Sequence, residues 1–303
     1  MTLSFDGVLF FPVTPFDERS TIVEGLITEQ IQSRLEHRPG GIFAACGTGE
    51  FHSLSVAEVG TVVGATVTAT NGAVPVISGA GGPLGHAIDC AKAAADAGAD
   101  GLLLLPPYLV SAPVDGLINY VQAVAAATEL PIIVYHRANA KFTAAAMARL
   151  AENPQVIGFK DGVGDLAEAQ RIVLAVNAAG RSDFQFFNGL LTAELSQAAY
   201  RAIGVPLYSS AAFAMAPELA NAFYTALAEG DEARRLELLA GFYEPLVALR
   251  DKVPGYAVSL IKAGVVAGGL AVGGVRPPLI DPPADDLAAL KEILARGRDL
   301  LGS

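Results

Sequence analysis

Charge is scarce in this sequence and cysteine nearly absent, and each shortage excludes something. Only 17% of the 303 residues are charged, against 52% hydrophobic, which excludes a disordered chain held open by self-repulsion. Positive charge is scarcer still: 20 Lys and Arg stand against 31 Asp and Glu, for a formal net charge of -11. A nucleic-acid surface needs concentrated Lys and Arg, so that class of partner is excluded, and an anionic ligand would need a local basic cluster. The two cysteines, Cys46 and Cys90, are far apart and fit no metal-ligand spacing. A disulfide framework and a zinc site are therefore not expected, and a reducing compartment, the cytoplasm, is. No uninterrupted apolar run approaches the roughly 20 residues of a membrane helix. Near the start, Asp6, Pro12 and Pro15 interrupt the hydrophobic stretch, and no charged segment precedes an apolar one, so no signal peptide is expected.

What the sequence does contain is a rhythm. At this length either two average domains or one large barrel is allowed. Eight short apolar runs recur, each followed by an Ala- and Leu-rich stretch with helical spacing: Val8 to Val13, Ile42 to Ala45, Val74 to Ser78, Gly101 to Leu105, Ile132 to Tyr135, Val156 to Lys160, Phe184 to Phe187 and Val205 to Tyr208. Runs such as Leu102 to Leu105 lack polar alternation, as expected of parallel strands covered on both faces. Helix starts are marked at Thr21 before residues 22–37, at Ser55 with Glu58 as a capping box, and at Thr143 before 144–152. A doubly wound open sheet would place a glycine-rich phosphate loop after its first strand, and Phe10-Phe11-Pro12-Val13-Thr14-Pro15 is no such loop. The pattern predicts an α/β fold, a (β/α)8 TIM barrel over residues 1–225. Further helices at about 231–250, 254–268 and 284–300 predict a C-terminal extension, 226–303, packed on the barrel without a polar linker.

In such a barrel catalytic side chains come from the C-terminal ends of strands. Those positions hold Thr48 and Glu50, Tyr108, Tyr135, His136 and Arg137, Lys160 and Asp161, Asn188 and Ser209. Lys160 closes its strand among apolar walls, where desolvation favours the free amine that attacks a ketone. A lysine at a strand end more often carries its charge out to solvent, so Lys160 needs corroboration. Tyr135 closes the neighbouring strand, where a phenol can act as acid and base, although taken alone it reads equally as packing. Ala45-Cys46-Gly47-Thr48-Gly49-Glu50 is a glycine-rich turn able to offer N–H groups and a hydroxyl to a carboxylate.

Together these pieces resemble the N-acetylneuraminate lyase and dihydrodipicolinate synthase superfamily: Gly47-Thr48-Gly49-Glu50 after strand two, Tyr135, and Gly158-Phe159-Lys160-Asp161-Gly162 ending strand six. Pro12-Val13-Thr14-Pro15-Phe16, Pro106-Pro107-Tyr108, Gly204 to Ser209 and Arg276-Pro277-Pro278-Leu279 extend the match along nearly the whole chain. The resemblance implies Schiff-base chemistry on Lys160 with Tyr135 as proton shuttle. It implies a keto-acid carboxylate held at Gly47, Thr48 and Gly49, no metal or organic cofactor, and a homotetramer built as a dimer of dimers. Gly47 departs from the pattern, because the synthases usually carry there a threonine that relays a proton and the lyases a serine.

Gly47 to Phe51, Tyr135-His136-Arg137 and Phe159 to Asp165 resemble most the branch that dehydrates and decarboxylates a keto-deoxy sugar diacid. The residues themselves point the same way. His136, Arg137 and Lys141 put basic groups in one loop of an acidic protein, and an arginine fork suits a second carboxylate; a solvated loop pairing with nearby acids is an equal reading. Tyr108, Asn188 and Ser209 are further candidates for the substrate's hydroxyls or distal carboxylate. An aldolase or synthase acting on another 2-keto-3-deoxy sugar acid, and a non-catalytic keto-acid sensor, stay open.

Overall fold

Runs of four to six apolar residues are too short for helices and too uniformly apolar for a half-exposed sheet, and among residues 3–302, which a computed structural model describes, they close on themselves. Eight parallel strands join in chain order into a closed barrel: β1 (Leu9–Phe10), β2 (Gly41–Ala44), β3 (Val76–Ala80), β4 (Gly101–Leu104), β5 (Ile132–His136), β6 (Val156–Asp161), β7 (Gln185–Asn188) and β8 (Leu207–Ser210). The intervening helices are α1 (Glu24–Leu35), α2 (Val56–Thr70), α3 (Leu84–Asp96), α4 (Val114–Ala125), α5 (Ala144–Ala151), α6 (Leu166–Ala178), α7 (Gln197–Ala202) and α8 (Pro217–Glu229). Beyond them run α9 (Glu232–Leu238), α10 (Glu244–Arg250), α11 (Tyr256–Ala267) and α12 (Ala284–Leu301). The protein is a TIM barrel with C-terminal helices. Among the described residues no helix is long and apolar enough to cross a membrane.

Local chemistry explains where the elements differ from expectation. β1 is cut to two residues because Pro12 has no N–H for a ladder; the side-chain amide of Gln30 instead pairs with both backbone groups of Val13, at 3.0 and 3.2 Å. β8 starts two residues late, after Pro206. The helix expected to begin after Thr21 starts at Glu24, its N-cap position falling on Val23, which has no side-chain oxygen to cap with; Thr21 lies instead in a turn where its N–H donates to Asp17. The capping box is present: Ser55 Oγ accepts from Glu58 N–H at 3.3 Å and Ser55 N–H donates to Glu58 at 2.9 Å. Thr143 caps α5 through Ala146 N–H. The division expected after residue 225 falls inside α8, which runs on to Glu229. The stretch expected as one helix over 231–250 is α9 and α10 joined by a π-helical turn, Leu239–Tyr243.

Strand alternation sorts the core into two layers. Phe5, Leu9, Phe11, Phe43, Ile77, Leu103, Ile133 and Phe187 fill the barrel, whereas Phe10, Ile42, Leu102, Val134 and Phe159 face the helices. Phe11 stacks on Phe43 with ring centroids 4.6 Å apart, which closes the barrel beneath its C-terminal mouth.

The extension is tied to the barrel by a buried ion pair. Glu50, fully buried with a left-handed backbone (φ 59°), accepts from Lys262 Nζ of α11 at 2.7 Å and from Arg276 N–H at 2.8 Å. Burial pulls the Lys262 ammonium below its ordinary range, and Glu50 opposes that loss. Arg276 continues the tie to Glu58 at 2.6 Å, and this bond first of all holds the Glu58 carboxyl down at about 2. Both cations lie against Phe16, 4.1 and 4.0 Å from its ring centroid. Breaking such a pair on one side leaves a lone buried charge, so Lys262→Met should cost about 3 to 5 kcal/mol in chemical denaturation. The double replacement with Glu50→Gln should cost less than the single one. A loss as small as that of a surface substitution would show that the pair does not hold the extension.

Candidate active site

Strands β5 and β6 run side by side in a register that sets Tyr135 opposite Lys160. Both side chains point into the barrel mouth and both are nearly inaccessible, at 6% and 4% exposure. The ammonium nitrogen of Lys160 sits 4.1 Å from the centroid of the Tyr135 ring and 5.0 Å from that of Phe11. Two glycines make room for this arrangement. A Cβ on Gly189 would come within 2.7 Å of Lys160 Cγ, and one on Gly162 within 2.7 Å of the Tyr135 ring. Backbone bonds from Gly162 to His136 and from Gly189 to Asp161 extend the ladder past the strand ends and hold both glycines there.

The phenol of Tyr135 is bound on both sides. Its hydroxyl donates to Gly189 O at 2.8 Å and accepts from Arg137 Nη1 at 2.9 Å. Arg137 is brought back over the ring by a tight turn in which Arg137 and Ala140 exchange N–H bonds and Ala138 is left-handed (φ 52°). Burial pushes the Tyr135 phenol up, but the positive charges of Lys160 and Arg137 and the bond from Arg137 outweigh it, so the phenol sits below its ordinary value. An acidified phenol beside an amine suits repeated proton transfer.

Above this pair opens a cavity of about 450 Å³ whose wall includes Gly47, Thr48, Arg137, Ser209 and, from the extension, Arg250. The turn carrying Thr48 is fixed from below by Thr14, whose hydroxyl donates to Gly49 O at 2.6 Å, and from behind by Glu50 and Lys262. Lys160, Arg137 and Arg250 all belong to this wall. Its acidic residue among those described, Glu194, bonds Ser210 at 2.6 Å, and burial raises its carboxyl to about 7. The wall is basic in a protein of net charge -11, the local cluster an anionic ligand requires. Cys46, inside the barrel, is kept as an inert thiol by burial, which raises it to about 12.

Thus the structure gathers Lys160, Tyr135, Gly47, Thr48, Arg137 and Ser209 around one space, and leaves others out. The side-chain nitrogen of Asn188 donates to Ala193 O, Ser196 and Gln197, and its oxygen accepts from Leu190 N–H, so its amide shapes the loop after β7 and does not face the cavity. Tyr108 lies 63% exposed outside the cavity wall. Gly49 sits beneath the turn, where a Cβ would meet Pro12 O at 3.2 Å. His136 points outward, accepting from Phe142 N–H at 2.9 Å and packing on Phe159, because residues next to each other on a strand face opposite ways. Lys141 is exposed to solvent, and Glu50 anchors the turn. Sequence reasoning missed Arg250, Thr192 and His52 in the wall; Arg250 ends a helix, where a basic residue is explained by the helix dipole alone.

The Dihydrodipicolinate synthetase family, as a sequence model, matches residues 4–296. A Streptomyces avermitilis protein named "Probable 5-dehydro-4-deoxyglucarate dehydratase 1" is 50% identical over 295 residues, 97% of this chain and 94% of that protein. A Streptomyces griseus protein, "Probable 5-dehydro-4-deoxyglucarate dehydratase", is 51% identical over 97% of this chain and 92% of its own. The crystal structure of dihydrodipicolinate synthase from Oceanobacillus iheyensis shares the fold with a TM-score of 0.89 at 24% identity, over 97% of each chain.

The bond between Arg137 and the phenol makes an electrostatic prediction independent of any substrate. In a spectrophotometric titration, with Tyr135→Phe as the reference that identifies the signal, Tyr135 should ionise below the ordinary tyrosine range. Arg137→Gln should move that ionisation upward. An unchanged titration in Arg137→Gln would mean that the guanidinium does not act on the phenol.

Proposed function

Since the chain belongs to the Dihydrodipicolinate synthetase family, we propose that it is a decarboxylating lyase that converts 5-dehydro-4-deoxy-D-glucarate to 2,5-dioxopentanoate, carbon dioxide and water. Full-length relatives at about half identity carry the substrate assignment. One observation carries the chemistry: a lysine amine buried at the barrel mouth against a phenol that a guanidinium also touches.

The steps follow from the electron sink. The Lys160 amine adds to the keto carbon and loses water to give an iminium, while Gly47, Thr48 and nearby N–H groups hold the adjacent carboxylate. The iminium acidifies the neighbouring CH2, whose proton goes to Tyr135, left as phenolate once its hydroxyl proton has gone to the water lost in forming the iminium. The resulting enamine expels the β-hydroxyl, which leaves as water when protonated, and a conjugated iminium remains. Only then has the far carboxylate a place to send its electrons, so carbon dioxide departs after dehydration and leaves a dienamine. Protonation and hydrolysis release the keto-aldehyde product and free Lys160. Gly47 removes a side-chain proton relay from this site, and in our reading the Arg137 charge on Tyr135 stands in for it. Ser209 is placed to meet a substrate hydroxyl. We also assign the protein to the cytoplasm and to a homotetramer, on the family resemblance and, for the compartment, on two cysteines that are buried and unpaired.

Incubation with 5-dehydro-4-deoxy-D-glucarate should yield carbon dioxide and the keto-aldehyde; pyruvate as product would make the protein an aldolase, and stabilisation by ligand without turnover a sensor. Borohydride with substrate or pyruvate should attach the ligand to Lys160, and a peptide map without that adduct would remove the Schiff base. Tyr135→Phe should slow turnover by about 10² to 10⁴-fold in a folded protein, whereas near-normal turnover would reduce Tyr135 to packing.

A further inference from the structure

The second carboxylate of the diacid lies four carbon–carbon bonds from the carbon that joins Lys160, so its partner must stand off from the barrel floor. Two guanidinium groups line the cavity. That of Arg137 is committed to Tyr135, beside the amine, at 2.9 Å. That of Arg250 arrives from the extension at the end of α10, with a side chain only 15% exposed. Its Nη1 donates to Thr192 Oγ1 at 2.8 Å and its Nε to Asp251 at 2.8 Å. These bonds fix the plane of the fork against the loop after β7, and Nη2 has no protein acceptor among the described residues. Asp251 is largely exposed and lies outside the cavity wall, where water screens its charge.

We propose that Arg250, steadied by Thr192, binds the substrate's second carboxylate, the one that departs as carbon dioxide, and that Arg137 does not. The proposal rests on the dehydratase reading above. It gives the C-terminal extension a direct part in substrate recognition and divides the work between the two arginines, with Arg137 acting through the phenol on every keto acid and Arg250 only on a diacid. The chemistry of departure favours such a partner. A carboxylate loses its charge as it leaves, so any bond to it is at most as strong in the transition state as in the bound substrate. A deep clamp of many donors would resist the reaction. A single fork already shared with Thr192 and Asp251 offers one or two charge-assisted hydrogen bonds, enough for selection. Binding of this kind appears in KM and not in kcat.

Arg250→Ala should raise KM for 5-dehydro-4-deoxy-D-glucarate roughly 10- to 100-fold and leave kcat within a few-fold of wild type. Arg250→Lys, which keeps the charge without the planar fork, should fall between, and it keeps the test open if the alanine variant does not fold. Borohydride trapping of pyruvate on Lys160 reads the same site without a second carboxylate, and there both Arg250 variants should follow wild type while Arg137→Ala lags. A KM near wild type in Arg250→Ala, an equal loss with pyruvate, or a diacid-selective loss in Arg137→Ala would each overturn the assignment. Wild-type protein that traps pyruvate but releases no carbon dioxide from the diacid would overturn the dehydratase reading instead, and with it the need for this subsite.

Discussion

The salt bridge between Glu50 and Lys262 is the constraint on which the rest of the site depends. It joins the turn that follows the second strand to a helix more than two hundred positions later, and both charges are withdrawn from water. A buried pair contributes little net stability compared with apolar residues of the same shape, yet removing one partner is severe, so its effect is to make one arrangement far better than its neighbours. Glu50 has a left-handed backbone and Arg276 supplies a second donor to it. The turn is therefore set in one conformation with Gly47 and Thr48 on its upper side. The extension, fixed by the same pair, brings α10 and Arg250 over the mouth. An acidic residue that reads as a catalytic candidate from its motif is instead the joint between barrel and extension.

Around that joint the protein concentrates its few basic groups. Three of its 20 Lys and Arg line one cavity, and the acid of that wall among the described residues, Glu194, accepts a bond from Ser210 while burial raises its carboxyl to about 7. In a chain of net charge -11 this gives a dianion one place with a favourable potential. Tyr135 shares in that potential, because the charges of Lys160 and Arg137 in the same wall also lower its phenol below the ordinary tyrosine value. The two glycines that admit Lys160 and Tyr135 show how closely the site is packed beneath the cavity, since a single methyl group at either would collide with one of these two side chains.

The sequence by itself determined the βα rhythm, the barrel, and the strand-end positions of Lys160, Tyr135 and Thr48. Each follows from local rules: apolar runs of strand length, capping residues at helix starts, and the fact that a strand end in this fold opens on the mouth. It did not determine where a side chain just past a strand end reaches. His136 and Arg137 are adjacent in the chain, but one packs among Phe142 and Phe159 while the other reaches Tyr135. Strand alternation predicts the first, but the second depends on a turn closed by Ala140. Asn188 looked available until its amide proved to be occupied by the loop it supports. Lys262 and Arg250 carried no local signal, because a basic residue within or at the end of a helix has an ordinary explanation, and Arg276 stood in a motif that did not name its partners. Their partners are set by long-range packing, where separation along the chain says nothing about distance in space, and only the closed tertiary structure decided which charges meet.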